Sequence, residues 1–173
     1  MTVESIRLFP EPVLSTPCQK ITSFDDQLYN LAKNLEETLY HSPGVGLAAP
    51  QIGVSLQIAV IDVGRKQTKK TAEPNHGFLT IINPVILTGE GTQIPREGCL
   101  SVPDLLANVN RFQKVHIQYQ DLLGAKQEII VEGFEALAFQ HEIDHLNGLL
   151  FLDRVTNIKT DIFRRKKDRQ KHT

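Results

Sequence analysis

A chain of 173 residues, 40% hydrophobic and with a formal net charge of −1, has the length of one domain, 1–173, and can bury about 70% of the surface its unfolded form exposes. That balance excludes a bulk preference for nucleic acid, membrane surfaces or acidic substrates, and no cofactor is needed merely to complete a core. The N-terminus lacks a signal-peptide core, no apolar run reaches about 18 residues, and two cysteines, Cys18 and Cys99, are too few for a disulfide framework. The expectation is a cytoplasmic protein without a membrane partner.

Pro10, Pro12 and Pro17 predict an extended arm over residues 1–22, with Cys18 as a small buried apolar residue in it. Ser23 and Asp26 have the form of a capping box, and Leu28, Leu31, Ala32, Leu35 and Leu39 recur at helical spacing, so an amphipathic helix is predicted over 24–40. His41-Ser42-Pro43-Gly44 ends it, and His41, alone past a helix end, reads as solvated. Residues 44–53 pack three glycines and two alanines into a loop that lets backbone approach another group closely. Neither a G-x-G-x-x-G nor a Walker spacing is present, which argues against a dinucleotide or phosphate loop; a tight helix-to-strand connection is the plain structural alternative. Gln51, near its end, carries an amide able to donate to a substrate oxygen.

Residues 56–63 and 77–87 are rich in β-branched side chains and read as strands, with a polar loop between them that leaves His76 exposed. Residues 114–120 alternate Val115, Ile117 and Tyr119 with polar side chains, so His116 faces solvent; residues 127–132 return as the second strand of a hairpin. A helix is predicted over 134–146, closed by a left-handed cap at Asn147-Gly148 and followed by a short apolar strand or turn at 149–152. Residues 159–173 hold seven Lys or Arg against two Asp. This basic C-terminal helix or tail is a candidate contact for an RNA-rich surface, although a solvated helix or frayed tail is the commoner origin of such a run.

The late helix carries the chemistry. In Gln140-His141-Glu142-Ile143-Asp144-His145 two imidazoles stand four residues apart on one helix face and reach one point, where a metal ion can sit. Glu142 lies about 100° round the helix beside them, placed to take a proton from a metal-activated water. Two hydrogen-bonded core histidines would explain the pair alone, but Glu142 and Asp144 in the same apolar helix are costly to bury unless something charged is there. Two His supply half of a tetrahedral shell, and a catalytic site needs a third protein ligand with the fourth place left to water. Cys99, in Glu97-Gly98-Cys99-Leu100-Ser101, is the best candidate, since Gly98 lets the backbone bring the thiolate close. Donor chemistry alone selects zinc. Two alternatives stay open at this point. An H-E-x-x-H metallopeptidase usually adds a later His or Glu ligand, where only Asp153 is near. A non-catalytic metal-binding module closes its shell with four protein ligands and has no use for Glu142 or Gln51.

The fragments 44–51 (Gly-Val-Gly-Leu-Ala-Ala-Pro-Gln), 97–101 (Glu-Gly-Cys-Leu-Ser) and 140–145 (Gln-His-Glu-Ile-Asp-His) resemble, in the same order, the three signature motifs of the peptide deformylase family. H-E-x-x-H alone is shared with many metalloproteases; the trio is highly specific, and the resemblance covers nearly the whole length. It implies that Cys99, His141 and His145 bind one divalent metal per chain, usually ferrous iron with zinc, nickel or cobalt substituting. It further implies that Glu142 is the general base and acid, and that Gln51 and the Leu100 N–H hold the oxyanion. The implied reaction removes formate from the N-formylmethionine of nascent bacterial or organellar polypeptides, with ribosome contact through the basic C-terminus and no sequence-specific nucleic acid.

Selectivity for methionine then requires an apolar pocket beside the metal. Phe134, Leu137 and Ala138 precede His141 by seven, four and three residues on its helix face and are predicted to line that pocket with Val45 and Gly46, besides any core packing they do. Asp144 is expected to pair with Arg111, and Glu97 to brace the active-site loop. One departure stands out: many relatives carry a basic residue a few places after the cysteine motif, where this chain reads Asp104-Leu105-Leu106, which leaves contacts beyond methionine unassigned. The expected fold is α+β, with mixed or antiparallel sheets around a central metal-binding helix and helices at both ends.

Overall fold

The computed structural model describes residues 2–67 and 73–165. The first helix, α1 (Asp26–Tyr40), is opened by Asp25, whose carboxylate accepts from the N–H groups of Gln27 and Leu28 at 3.0 and 3.1 Å. The cap therefore falls two residues after the predicted Ser23, because Asp25 is the residue in extended conformation next to the unpaired N–H groups. At the other end the Arg65 guanidinium donates to the carbonyls of Leu39, Tyr40, Ser42 and Gly44, tying the helix end to the loop beyond it.

That loop is partly a strand. The glycine-rich stretch forms β1 (Gly46–Ala48) and then a 3-10 turn over Ala49–Ile52, in place of a simple connection. The remaining strands are β2 (Ile58–Ile61), β3 (Leu79–Glu90), β4 (Arg96–Cys99), β5 (Val102–Asn108), β6 (Lys114–Gln120), β7 (Lys126–Glu132) and β8 (Ile162–Arg164). Five of them build an antiparallel sheet in the order β1-β2-β3-β6-β7, and three build a second in the order β4-β5-β8. The β6–β7 hairpin keeps the predicted alternation, with Val115, Ile117 and Tyr119 buried, and His116 meets Glu128 at 2.8 Å on the outer face.

The apolar character of β2 at every position has its cause on either side of the strand. Ile58 and Val60 pack with α1 in one core cluster, while Ala59 and Ile61 pack in another with the second helix, α2 (Gly133–Leu146). A strand covered on both faces has no use for polar alternation. The same logic explains α2, which buries eleven of its fourteen residues and so is the central helix that the fold class requires. It ends as predicted, with Gly148 at φ 72°. A 3-10 turn (Phe151–Arg154) stands at the place of the predicted strand or turn.

The described part of the predicted C-terminal helix or tail is mixed. Among its described residues α3 (Ile158–Asp161) is helical, and Ile162 and Phe163 then join β5 through β8, because a β-branched and an aromatic side chain suit the open sheet edge. The rest of the basic segment, 166–173, lies outside the described residues. Among the described residues no helix is long and apolar enough to cross a membrane.

Candidate active site

Cys99 ends β4 at a bulge where its pairing to β5 shifts register, which turns the thiol inward towards α2. Its Sγ lies 3.2 Å from His145 Nε2, and the ligand atoms of Cys99, His141 and His145 all fall within 4.8 Å of one another. His141 and His145, one helical turn apart, have ring centroids 5.0 Å apart and nearly perpendicular planes. Cys99 is 5% exposed and His145 1%, while His141 is only partly buried, so the three donors meet at the edge of the core.

The electrostatics suit a cation. Burial opposes ionisation of Cys99, but the charges and hydrogen bonds of His145 and His141 overrule it and hold the thiol well below its ordinary value. Within this cluster, the buried Nδ1 of His145 and Oε2 of Glu142 find no hydrogen-bond partner among the described residues. One thiolate and two imidazoles, lying within reach of one ion and beside an unpartnered carboxylate oxygen, fit a divalent metal with an open position. Asp153, the only later acid near enough to complete a peptidase-type shell, instead accepts from the Leu150 N–H at 2.7 Å and caps its own turn.

Glu142 is buried, and burial pushes its carboxyl up to about 7, against the opposing charges of His141 and His145. It presses on β1: a Cβ at Gly46 would collide with the Glu142 carboxyl, so only glycine admits the group there. Gln51 is anchored by its Oε1, which accepts from the Ala48 N–H at 2.9 Å. Its Nε2 is thereby turned towards Ser101 Oγ (3.3 Å) and Cys99 Sγ (3.5 Å).

Behind the imidazoles stands a buried ionic chain. His141 Nδ1 donates to Glu97 Oε2 at 3.0 Å; Arg111 grips Glu97 at 2.6 and 3.0 Å and reaches Asp144 at 2.6 Å. The expected Asp144–Arg111 pair is present, and Glu97 braces both a ring and an arginine. Arg154 also donates to Asp144, at 2.6 and 3.1 Å, which the sequence does not disclose; ten residues separate the two, and the turn at Gly148 brings them together. Ser101 is a further functional neighbour that sequence reasoning does not single out, although a hydroxyl two residues after the cysteine is a visible signal.

A cavity of about 400 Å³ opens onto this centre. Val45, Gly46, Phe134, Leu137 and Ala138 all line it, together with Gln51, Glu97, Leu100, Cys99, His141 and Glu142. Asp144, Arg111 and His145 do not reach it. Lys66 and Arg96, which no sequence pattern marks, do, as does Arg165 of the basic C-terminal run.

Fold and centre together define a metallohydrolase: a metal-binding Cys/His₂ triad with a buried carboxylate beside it on the wall of a largely apolar cavity. The polypeptide deformylase family model matches residues 3–161, and the chain belongs to that family. Its activity is the family's, the metal-dependent removal of a formyl group from N-formylmethionyl peptides. Among similar proteins, the peptide deformylase of Desulfotalea psychrophila is 42% identical over 166 residues, covering 96% of this chain and 95% of its own. The crystal structure of peptide deformylase from Thermotoga maritima superposes with a TM-score of 0.82 at 39% identity, covering 91% of this chain and all of that one. A Met-Ala-Ser bound structure of the class I type b enzyme from Acinetobacter baumannii gives 0.82 at 31% identity, over 89% and 99%.

Proposed function

We propose that the whole chain acts as one catalytic domain in which Cys99, His141 and His145 hold the metal, while Glu142, Gln51 and the Leu100 N–H act on the formyl group. The observation that carries this reading is Glu142, a buried carboxylate with an unpartnered oxygen, one residue from a metal-site imidazole and on the wall of an apolar cavity.

A divalent cation held by Cys99, His141 and His145 would supply Lewis acidity, lowering the pKa of a water to about 7. Glu142 accepts the proton that the attacking water loses, then passes it to the methionyl nitrogen as the C–N bond breaks, so formate and a free amine depart. Gln51 Nε2 and the Leu100 N–H donate to the oxygen on which negative charge grows, each worth on the order of 3 kcal/mol in barrier. Val45, Gly46, Phe134, Leu137 and Ala138 receive the methionine side chain; a Met-Ala-Ser peptide held by the Acinetobacter relative is in keeping with that use. Glu97 fixes the tautomer and tilt of His141, with Arg111 and Asp144 holding Glu97 in turn.

For the metal we propose ferrous iron, one per chain, with Zn²⁺, Ni²⁺ or Co²⁺ able to replace it. The donor set admits all four, and the family resemblance favours iron. Nascent N-formyl-Met polypeptides in the bacterial cytoplasm are the proposed substrates, in keeping with the bacterial relatives. Seven Lys or Arg over 159–173 suit contact with the RNA-rich ribosome surface.

The test is formate release from a formyl-Met peptide under anaerobic conditions, with metal content measured on the same sample, for the wild type and Glu142→Ala. The variant is expected to keep its metal and lose turnover. Equal release by both would overturn the role of Glu142.

A further inference from the structure

We infer that the mouth of the cavity recognises a carboxylate on the peptide downstream of the formylated methionine, with Arg165 and Arg96 as specificity-determining residues. The inference rests on the deformylase reading and adds to it which peptides are preferred. Three cations, Lys66, Arg96 and Arg165, line the cavity alongside two carboxylates, Glu97 and Glu142. Glu97 is already committed to Arg111 and His141, and Glu142 is buried at the metal end. Among the described residues none of the three cations joins an ion pair. Among the described residues the cavity therefore presents an apolar wall for the methionine side chain and cations outside any ion pair for the next residues of the peptide.

Both guanidiniums are positioned by β8. The Arg165 N–H donates to the Asp104 carbonyl at 2.8 Å, continuing the β5–β8 ladder by one residue. Its guanidinium lies over Gly98, where any Cβ would collide with Nη2; the glycine before the cysteine thus gives the arginine its place beside the metal loop. Arg96 stacks on the ring of Phe163, 4.0 Å from its centroid, and Phe163 is the central residue of β8. Stacked this way, the Arg96 fork needs little further ordering to meet a carboxylate, while Arg165 is placed at the mouth by its backbone pairing. The stretch Asp104-Leu105-Leu106 offers no cation; Arg96 comes from β4, just before the cysteine, and Arg165 from the far end of the chain, delivered by strand pairing.

Three formylated peptides test this with the metal-loaded enzyme: formyl-Met-Ala-Glu, -Gln and -Lys, all as C-terminal amides. Formyl-Met-Ala as free acid and as amide separates a main-chain carboxylate from a side-chain one. We expect kcat/KM to favour Glu over Gln by roughly threefold to tenfold at low ionic strength, with Lys below Gln, and the preference to shrink in about 0.5 M salt. Arg165→Gln and Arg96→Gln should each move the Glu/Gln ratio towards one, and Arg165→Lys should retain part of it. A gain with either carboxylate supports the inference, and the two arms say which source is read. Equal kcat/KM across the Glu and Gln peptides and across acid and amide would overturn it, as would a preference that survives both substitutions. A wild type that releases no formate even from the Gln peptide would instead sink the deformylase reading, and this inference with it.

Discussion

Gln51 shows how a single side chain is aimed. Its Oε1 accepts from the Ala48 N–H, which leaves only the Nε2 free to swing, and that atom points at the cysteine loop. Replacing it by Leu removes the donor while filling similar volume, so kcat for formate release should fall by about 10²–10³ with KM little changed. A variant with unchanged kcat would show that another group holds the oxyanion. Glu142 gives the second prediction at this scale. Its folded pKa of about 7 lies above the ordinary carboxylate value of 4.5, so the folded protein binds the proton more tightly than the unfolded chain does. In metal-free protein, stability is therefore lost as pH rises from about 4.5 to 7 and stays lower above that. Metal-free Glu142→Gln should unfold at higher urea than the wild type at pH 8, by up to about 3 kcal/mol, with the difference fading by about pH 5. A difference that grows towards low pH would reverse the sign of this argument.

At the level of elements, α2 and β4 are coupled through ionic side chains as well as apolar packing. Arg111, 5% exposed, is the joint, holding Glu97 of β4 on one side and Asp144 of α2 on the other. Arg111→Leu would leave Glu97 with His141 alone and Asp144 with Arg154 alone, at a cost of about 3–5 kcal/mol. Urea titration should show that loss, and the variant should also release its metal faster to a chelator, because the His141 brace loosens. Unchanged metal retention would mean that Glu97 holds the ring without help. The same elements show where sequence patterns stop being informative. A clean period runs through α1, β6 and β7, and their bounds are legible to within two residues. Strands β4, β5 and β8 carry no clear alternation of their own, since a buried glutamate and a glycine interrupt β4, a proline interrupts β5 and β8 is only three residues long; they exist because each completes another's hydrogen bonds.

Over the whole molecule, the metal cluster sits between apolar clusters that do not depend on it. One joins α2 to the five-stranded sheet, a second joins α1 to the sheet's other side, and a third holds Leu14, Val102 and Phe151 around Cys99. Removing the metal with a chelator should abolish formate release and lower Tm while leaving far-UV circular dichroism close to that of the loaded protein. Loss of the whole spectrum on chelation would show that the triad is needed to fold the chain.

By itself the sequence determined which side chains are able to supply sulfur, imidazole, carboxylate and amide to the proposed centre, and that the helix bearing two of them is apolar enough to be central. Those are local properties, set by residue type and by a spacing of four along one helix. Tertiary structure alone decided the rest. It brought Cys99 to His145 across 46 positions, Arg154 back to Asp144 around a tight turn, and Arg165, through β8, to the cavity mouth. Contacts of that kind depend on how separate elements pair and pack, and no periodicity within a segment records which distant partner will satisfy its hydrogen bonds.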